Sequence, residues 1–258
     1  MPAAADLDAA LERFAALDAE GLAQRWVFRD KTTDVRYALY RTIEESQEAL
    51  VHAAARSHPE SRRILSLAQR AFGDLRGLLI GLPADLLDEA PRAGEWSIRE
   101  ILRHVVVTEE RYAVGTRYAV ERADADPMRV SDAKLPIPAQ IDVAGGIDAI
   151  VARLAKARSE TDRRLGDLPI AAMVRPTQWI QYDVDVRFRL HRFASHLVEH
   201  TVQCEKALAA LGRRPTEGRR IVRRLTALLG EIEGLAGQAD AREIEKRLVE
   251  RGVSLASV

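Results

Sequence analysis

Two histidines four positions apart, His196 and His200, are the residues of this chain best suited by type and spacing to grip a metal ion. A helix turns about 100° per residue, so four residues bring both rings back to one face. His191 falls on the opposite side of that wheel from His200, and His58 precedes Pro59 in a turn signal. Phe193, Leu197, Cys204, Leu208 and Leu211 form the apolar stripe of the same stretch, with His200 inside it and His196 at its margin. The pair therefore faces a core, where an unsatisfied polar group costs about 1–3 kcal/mol. Hydrogen bonds within the protein or coordination of a metal both meet that demand. His104 shares a face with Ile101, Thr108 and Tyr112 on another amphipathic stretch and can supply a third nitrogen. Three neutral imidazoles without a thiolate leave a coordination position for water or substrate, as in catalytic rather than structural zinc sites. Such an ion acts as a Lewis acid or water activator, and zinc, nickel and iron all accept this donor set.

Arg192 and Gln203 lie on the same stripe and can orient an anionic or carbonyl-bearing small-molecule substrate; Arg192 can equally pair with a neighbouring helix. Cys204 reads as small core packing rather than as a soft fourth ligand.

The elements that must position these groups are helices. Apolar residues recur at spacings of three and four, broken by Pro, Gly or capping residues. Helices are expected over about Asp6–Glu20, Asp34–Ser57 and Glu60–Leu82. The best-marked start is Ser97, with Glu100 in capping-box spacing and Trp96 and Ile101 placed for a hydrophobic staple. That helix should reach about Arg122 and carry His104. A long connection with Pro127, Pro136 and Pro138 follows over about Asp124–Ala144. Helices of about Ile147–Leu168 and Gln178–Leu211 come next, the second carrying the histidine pair and closed by Gly212. Two more complete the chain, the last with Asp240 and Glu243 in capping-box spacing. Asp34-Val35-Arg36-Tyr37-Ala38-Leu39-Tyr40-Arg41 echoes Asp185-Val186-Arg187-Phe188-Arg189-Leu190-His191-Arg192. No copy of the later histidines accompanies the first segment, so a duplication would not make two metal sites.

Composition excludes several classes. Hydrophobic residues at 47% and charged residues at 30% describe a folded chain, and Ala, Leu, Arg and Glu favour an all-α fold. Lys and Arg total 39 against 39 Asp and Glu, so no global field attracts nucleic acid or an anionic membrane. The run of arginines between Arg213 and Arg224 reads as a solvated helix face. One cysteine excludes an internal disulfide framework, the acidic start lacks signal-peptide character, and a cytoplasmic location is expected.

His196-Leu197-Val198-Glu199-His200 fits the H-x-x-E-H spacing of inverzincin metallopeptidases. That reading needs an α/β domain and gives His104 no part. A fuller resemblance rests on Glu95-Trp96-Ser97-Ile98-Arg99-Glu100-Ile101-Leu102-Arg103-His104 together with His196-Leu197-Val198-Glu199-His200-Thr201-Val202-Gln203. These two segments resemble the ligand helices of the DinB/YfiT-like family of metal-dependent helix-bundle enzymes. The resemblance spans about residues 61–212, with residues 1–60 as an N-terminal helical extension and 213–258 as C-terminal helices packed on the bundle. It implies an up-down-down-up four-helix bundle, a divalent metal on His104, His196 and His200, and a homodimer. Characterised members include thiol-dependent S-transferases and a mycothiol-dependent isomerase, so a low-molecular-weight thiol cofactor is within the implied chemistry, as is hydrolysis of small electrophiles. Glu199, between two ligands, is then placed to fix an imidazole or take a proton. The second reading is a non-catalytic metal-binding module serving stress response or dimerisation.

Overall fold

The computed structural model describes residues 4–28 and 31–256. In chain order these form α1 (Ala4–Ala16), α2 (Ala19–Ala23), β1 (Arg25–Phe28), β2 (Lys31–Asp34), α3 (Val35–Ala54), α4 (Glu60–Leu79), α5 (Ile98–Glu121), α6 (Ile147–Leu165), α7 (Ile170–Met173), β3 (Pro176–Trp179), β4 (Tyr182–Asp185), α8 (Val186–Ala210), α9 (Glu217–Ala236) and α10 (Gln238–Leu255). None of these helices is long and apolar enough to cross a membrane.

Helices α4, α5, α6 and α8 bury a common core that includes Leu75, Leu102, Val106, Leu154, Leu190 and Leu197, and so make the expected four-helix bundle. The capping box that starts α5 is complete: the amide of Ser97 donates to Glu100 at 2.8 Å and the amide of Glu100 donates to Ser97 Oγ at 3.3 Å. The stretch of 124–144 is irregular apart from two short 3₁₀ turns, as its prolines require. The helices flanking this bundle do not simply lie on it. α1, α3, α9 and α10 bury a second core of their own, with Leu11, Phe14, Trp26, Leu39, Leu225 and Leu248. The N-terminal and C-terminal parts of the chain thus close one four-helix unit between them.

The contacts between α4 and α9 are reciprocal, as an approximate two-fold relation between the units would make them. Gly73 and Gly77 sit against Thr226 and Arg223 of α9, while Gly230 and Gly234 sit against Gln69 and Ser66 of α4. A Cβ at any of the four would overlap atoms of the opposing helix, so glycine is what lets the two backbones approach. Arg36 donates to Glu217 at 2.7 Å, and its counterpart Arg187 donates to Glu60 at 2.6 Å.

Several expectations need correction. No long helix begins at Gln178: residues 176–185 are a hairpin, and α8 starts only at Val186. Thr177 is buried, Gln178 half-buried and Tyr182 exposed, and Ile180 at φ 54 makes the tight turn between the strands. A second hairpin of the same register over 25–34, with Trp26 1% exposed, was equally unforeseen in an all-α reading. The first expected helix is broken after Ala16, where Asp18 caps the short α2 through the amide of Gly21 at 2.8 Å. Asp240 and Glu243 make no capping box; α10 starts after Gly237 at φ 84, and Asp240 instead accepts from Arg56 at 2.6 Å. The arginine run is not uniformly solvated. Arg219 donates to the carbonyls of Leu78 and Ile80, and Arg223 pairs with Asp74 and Glu205, tying α9 to α4 and α8.

Candidate metal centre

α5 and α8 run side by side in the first unit and bring His104, His196 and His200 together. Their ring centroids are 5.1 Å (His104 to His196), 4.7 Å (His104 to His200) and 4.3 Å (His196 to His200) apart. One nitrogen from each ring lies within 4.8 Å of the others. The Nε2 atoms of His104 and His196 are 3.2 Å apart. Nitrogens bound tetrahedrally at about 2.0–2.1 Å from zinc are separated by roughly 3.3–3.4 Å, close to the spacing of the His104 and His196 nitrogens, and the His200 nitrogen lies within 4.8 Å of both.

The electrostatics agree with ligands rather than with cations. Burial, aided by the neighbouring His200, His104 and Arg192, pulls the pKa of His196 down to about 3. Burial and His200 also lower that of His104. Neutral imidazoles are the form that coordinates. The Nδ1 of His200 lies 2.7 Å from Oε1 of Gln203, an acceptor that calls for N–H at Nδ1 and leaves Nε2 with its lone pair toward the other rings. Gln203 therefore sets the tautomer. Glu199, expected to do so, is exposed and points elsewhere, accepting from both terminal nitrogens of Arg192 at 3.1 and 3.3 Å.

The site has walls that the sequence did not announce. Tyr112, one side of the α5 face that carries His104, packs 5.4 Å from His196, 5.6 Å from Phe193 and 4.7 Å from Trp179. Trp179 arrives on the hairpin read from sequence as helix, and the guanidinium groups of Arg189 and Arg192 lie 5.2 and 5.7 Å from its ring. Arg189 is 8% exposed and donates to Thr116 Oγ1 at 3.3 Å and to the Gln178 carbonyl at 3.2 Å. Burial lowers its pKa to about 10, with Arg129 adding to the effect against Tyr112. On the other side Trp96 lies 5.4 Å from the His104 ring. Below the histidines, fully buried Arg158 of α6 donates to Glu109 of α5 at 2.8 Å and to Asp162 at 2.5 Å, with its guanidinium 5.5 Å from the Phe193 ring.

The remaining candidates fall outside. Cys204 is buried, and burial with Glu205 pushes its thiol up to about 12, which suits core packing and not a thiolate ligand. His191 is exposed, and His58 bonds the Ala53 carbonyl at 2.8 Å.

Three histidines from α5 and α8 thus converge within a helix bundle and make a candidate metal centre. The family model of the DinB superfamily matches residues 67–204, which contain all three histidines. The chain belongs to that superfamily. Among solved structures it is similar to YfiT from Bacillus subtilis, described as "a probable metal-dependent hydrolase with an unusual four-helix bundle topology". The two are 13% identical with a TM-score of 0.48, over 62% of this chain and 91% of that one. No curated protein matches the chain.

Proposed function

We propose that this protein is a metal-dependent enzyme acting on a small electrophile that carries an anionic group, with water or a low-molecular-weight thiol as the nucleophile. The carrying observation is that His104, His196 and His200 present three nitrogens to one point with no carboxylate or thiolate among them. The donor set suits zinc, nickel or iron. A divalent ion held there lowers the pKa of water or a thiol and polarises a carbonyl.

The chain's own groups supply the rest. Gln203 holds His200 in the coordinating tautomer. Arg192 and Arg189 form a cationic wall that meets a carboxylate or phosphate of the substrate. Tyr112 and Trp179 close one flank against water. Glu199 accepts from Arg192 in this structure; once a substrate anion pairs with Arg192, its carboxylate would be released to take the proton that the attacking water or thiol loses. Gln203 and Arg192 thereby serve binding and positioning, and Glu199 is the candidate base.

The test pairs metal analysis of untagged protein with two assays, hydrolysis of an activated ester that bears a free carboxylate and transfer of N-acetylcysteine to 4-chloro-3,5-dinitrobenzoate. Turnover in either that disappears on chelation and returns with one divalent metal supports the proposal. Stoichiometric metal with no turnover on a panel of anionic electrophiles would favour the non-catalytic module.

A further inference from the structure

The second unit has its own version of every element that builds the metal centre. Asp34 caps α3 through the amide of Tyr37 at 2.6 Å, as Asp185 caps α8 through that of Phe188 at 2.8 Å. From these caps onward the buried positions of α3 (Val35, Ala38, Leu39, Thr42, Ser46, Ala53) recur at the same spacing on α8 as Val186, Arg189, Leu190, Phe193, Leu197 and Cys204. The hairpins before them share one register, Trp26 opposite Thr33 and Thr177 opposite Val184. α9 repeats α4 in Glu217-Gly218-Arg219-Arg220-Ile221 against Glu60-Ser61-Arg62-Arg63-Ile64, and again in the paired glycines. On α10, buried Ala241, Ile244, Leu248, Arg251 and Gly252 follow the spacing of Ile98, Ile101, Val105, Thr108 and Glu109 on α5. The order of elements differs: α9 and α10 close the chain while α1 and α3 open it, which is a circular permutation of α4, α5, α6 and α8.

This correspondence locates the metal site's counterpart. Glu45 lies as far beyond Asp34 as His196 lies beyond Asp185, Ala49 corresponds to His200, and Arg247 corresponds to His104. These positions meet across α3 and α10 as the histidines meet across α8 and α5. Arg247 donates to Glu45 Oε2 at 3.4 Å. Arg251 donates to Glu45 Oε1 at 3.1 Å and to Thr42. Two guanidinium groups thus meet the one carboxylate at the place where three imidazoles converge in the other unit. A cation has no place beside them.

We propose that the chain is a permuted, fused pair of DinB-type bundles in which Glu45, Ala49 and Arg247 have replaced one histidine triad, so that a Glu–Arg cluster closes the second metal site and one ion is bound per chain. The pairing that the family resemblance implies between two chains is made here within one, along α4 and α9. The proposal rests on the metal reading of His104, His196 and His200.

The experiment restores the lost site. Metal equivalents per chain are measured after loading with Zn²⁺, and with Co²⁺ by visible absorption, in the wild type, in His196→Ala, and in His196→Ala combined with Glu45→His, Ala49→His and Arg247→His. One equivalent, none and one equivalent are expected, and the wild type should sediment with the mass of one chain. A combined variant that melts cooperatively yet binds no metal would overturn the proposal, as would a wild-type dimer. Should that variant not fold, Glu45→Ala in the otherwise native chain decides: metal content stays at one equivalent if the cluster is closed to cations, and a second equivalent lost on this substitution refutes it. A wild type that binds nothing beside a combined variant that binds one ion would retire the metal reading of the first unit and leave the correspondence standing.

Discussion

The first bundle buries more polar and charged side chains than the second, and the difference helps separate what a four-helix unit needs for folding from what it needs for chemistry. Phe14, Leu22 and Trp26 fill the second unit, fully or almost fully buried; its buried polar groups are few, among them Thr42, Ser46 and Arg251, and Arg251 meets the part-exposed Glu45 at the edge. In the first unit Arg158 is 0% exposed and is satisfied only through Glu109, Asp162 and Gln69. His196 is 6% exposed, and Arg189 is buried with its charge balanced by no carboxylate among its hydrogen bonds. Burial of unlike polar groups is costly and an apolar core of equal volume is commonly as stable. The second bundle keeps the same topology with fewer of them, so their concentration in the first points to a site.

The comparison can be broken most forcefully at Arg158. Arg158→Met leaves Glu109 buried without its cation and should cost about 3–5 kcal/mol in chemical denaturation. Glu45→Ala should cost less, because Glu45 keeps 28% exposure and buried Arg251 retains its bond to Thr42. Equal losses would mean that the two units do not differ in the way described. Next come the glycines between α4 and α9. Gly73→Ala and Gly230→Ala each force a Cβ against the opposing backbone and should each destabilise by about 1–3 kcal/mol, in similar measure. A large loss at one and none at the other would deny the two-fold relation. Gln203→Leu should weaken metal affinity by about tenfold with little change in melting temperature, measured by competition with a chromophoric chelator.

The smallest effect concerns the cleft between the units, lined by residues of α1, α4, α6, α9 and α10. Burial there, with Glu245 and Asp162 against Arg76, raises the pKa of Glu233 to about 7. An acid whose folded pKa exceeds its unfolded value contributes stability that is full below about 4.5 and is lost as pH rises through about 7. Glu233→Gln should therefore raise the melting temperature by about 2–4 °C at pH 8 and leave it nearly unchanged at pH 4. A gain of the same size at both values would show that ionisation of Glu233 is not the cause.

Much of this was legible beforehand. The histidine spacing, the apolar stripe around His200 and the Ser97 capping box placed α5 and α8 and their inward faces, because helical periodicity and caps are local signals. The hairpins were not legible, since four-residue strands offer two alternations before the helix that follows takes over the pattern. Trp179 and its contacts with Arg189, Arg192 and Tyr112 went unseen for that reason, although Arg192 and Tyr112 were placed toward the site. Gln203 was placed on the right face but its partner was not, as only the rotamers of α8 decide that His200 is met by Gln203 while Glu199 turns to Arg192. The echoes of residues 34–41 in 185–192 and of 60–64 in 217–221 are traces of the second bundle; its helices are split between the two ends of the chain, so no single local pattern joins them.

The central claim is that one ion is held by three imidazoles of the first bundle. X-ray absorption at the metal edge of untagged protein, read alongside metal content for wild type and His104→Ala, tests it most directly. The account predicts about one equivalent with three nitrogen neighbours near 2.0–2.1 Å for zinc, and loss of the ion on removing His104. A metal that remains bound without His104, or a wild type that purifies and reconstitutes without any, would contradict it.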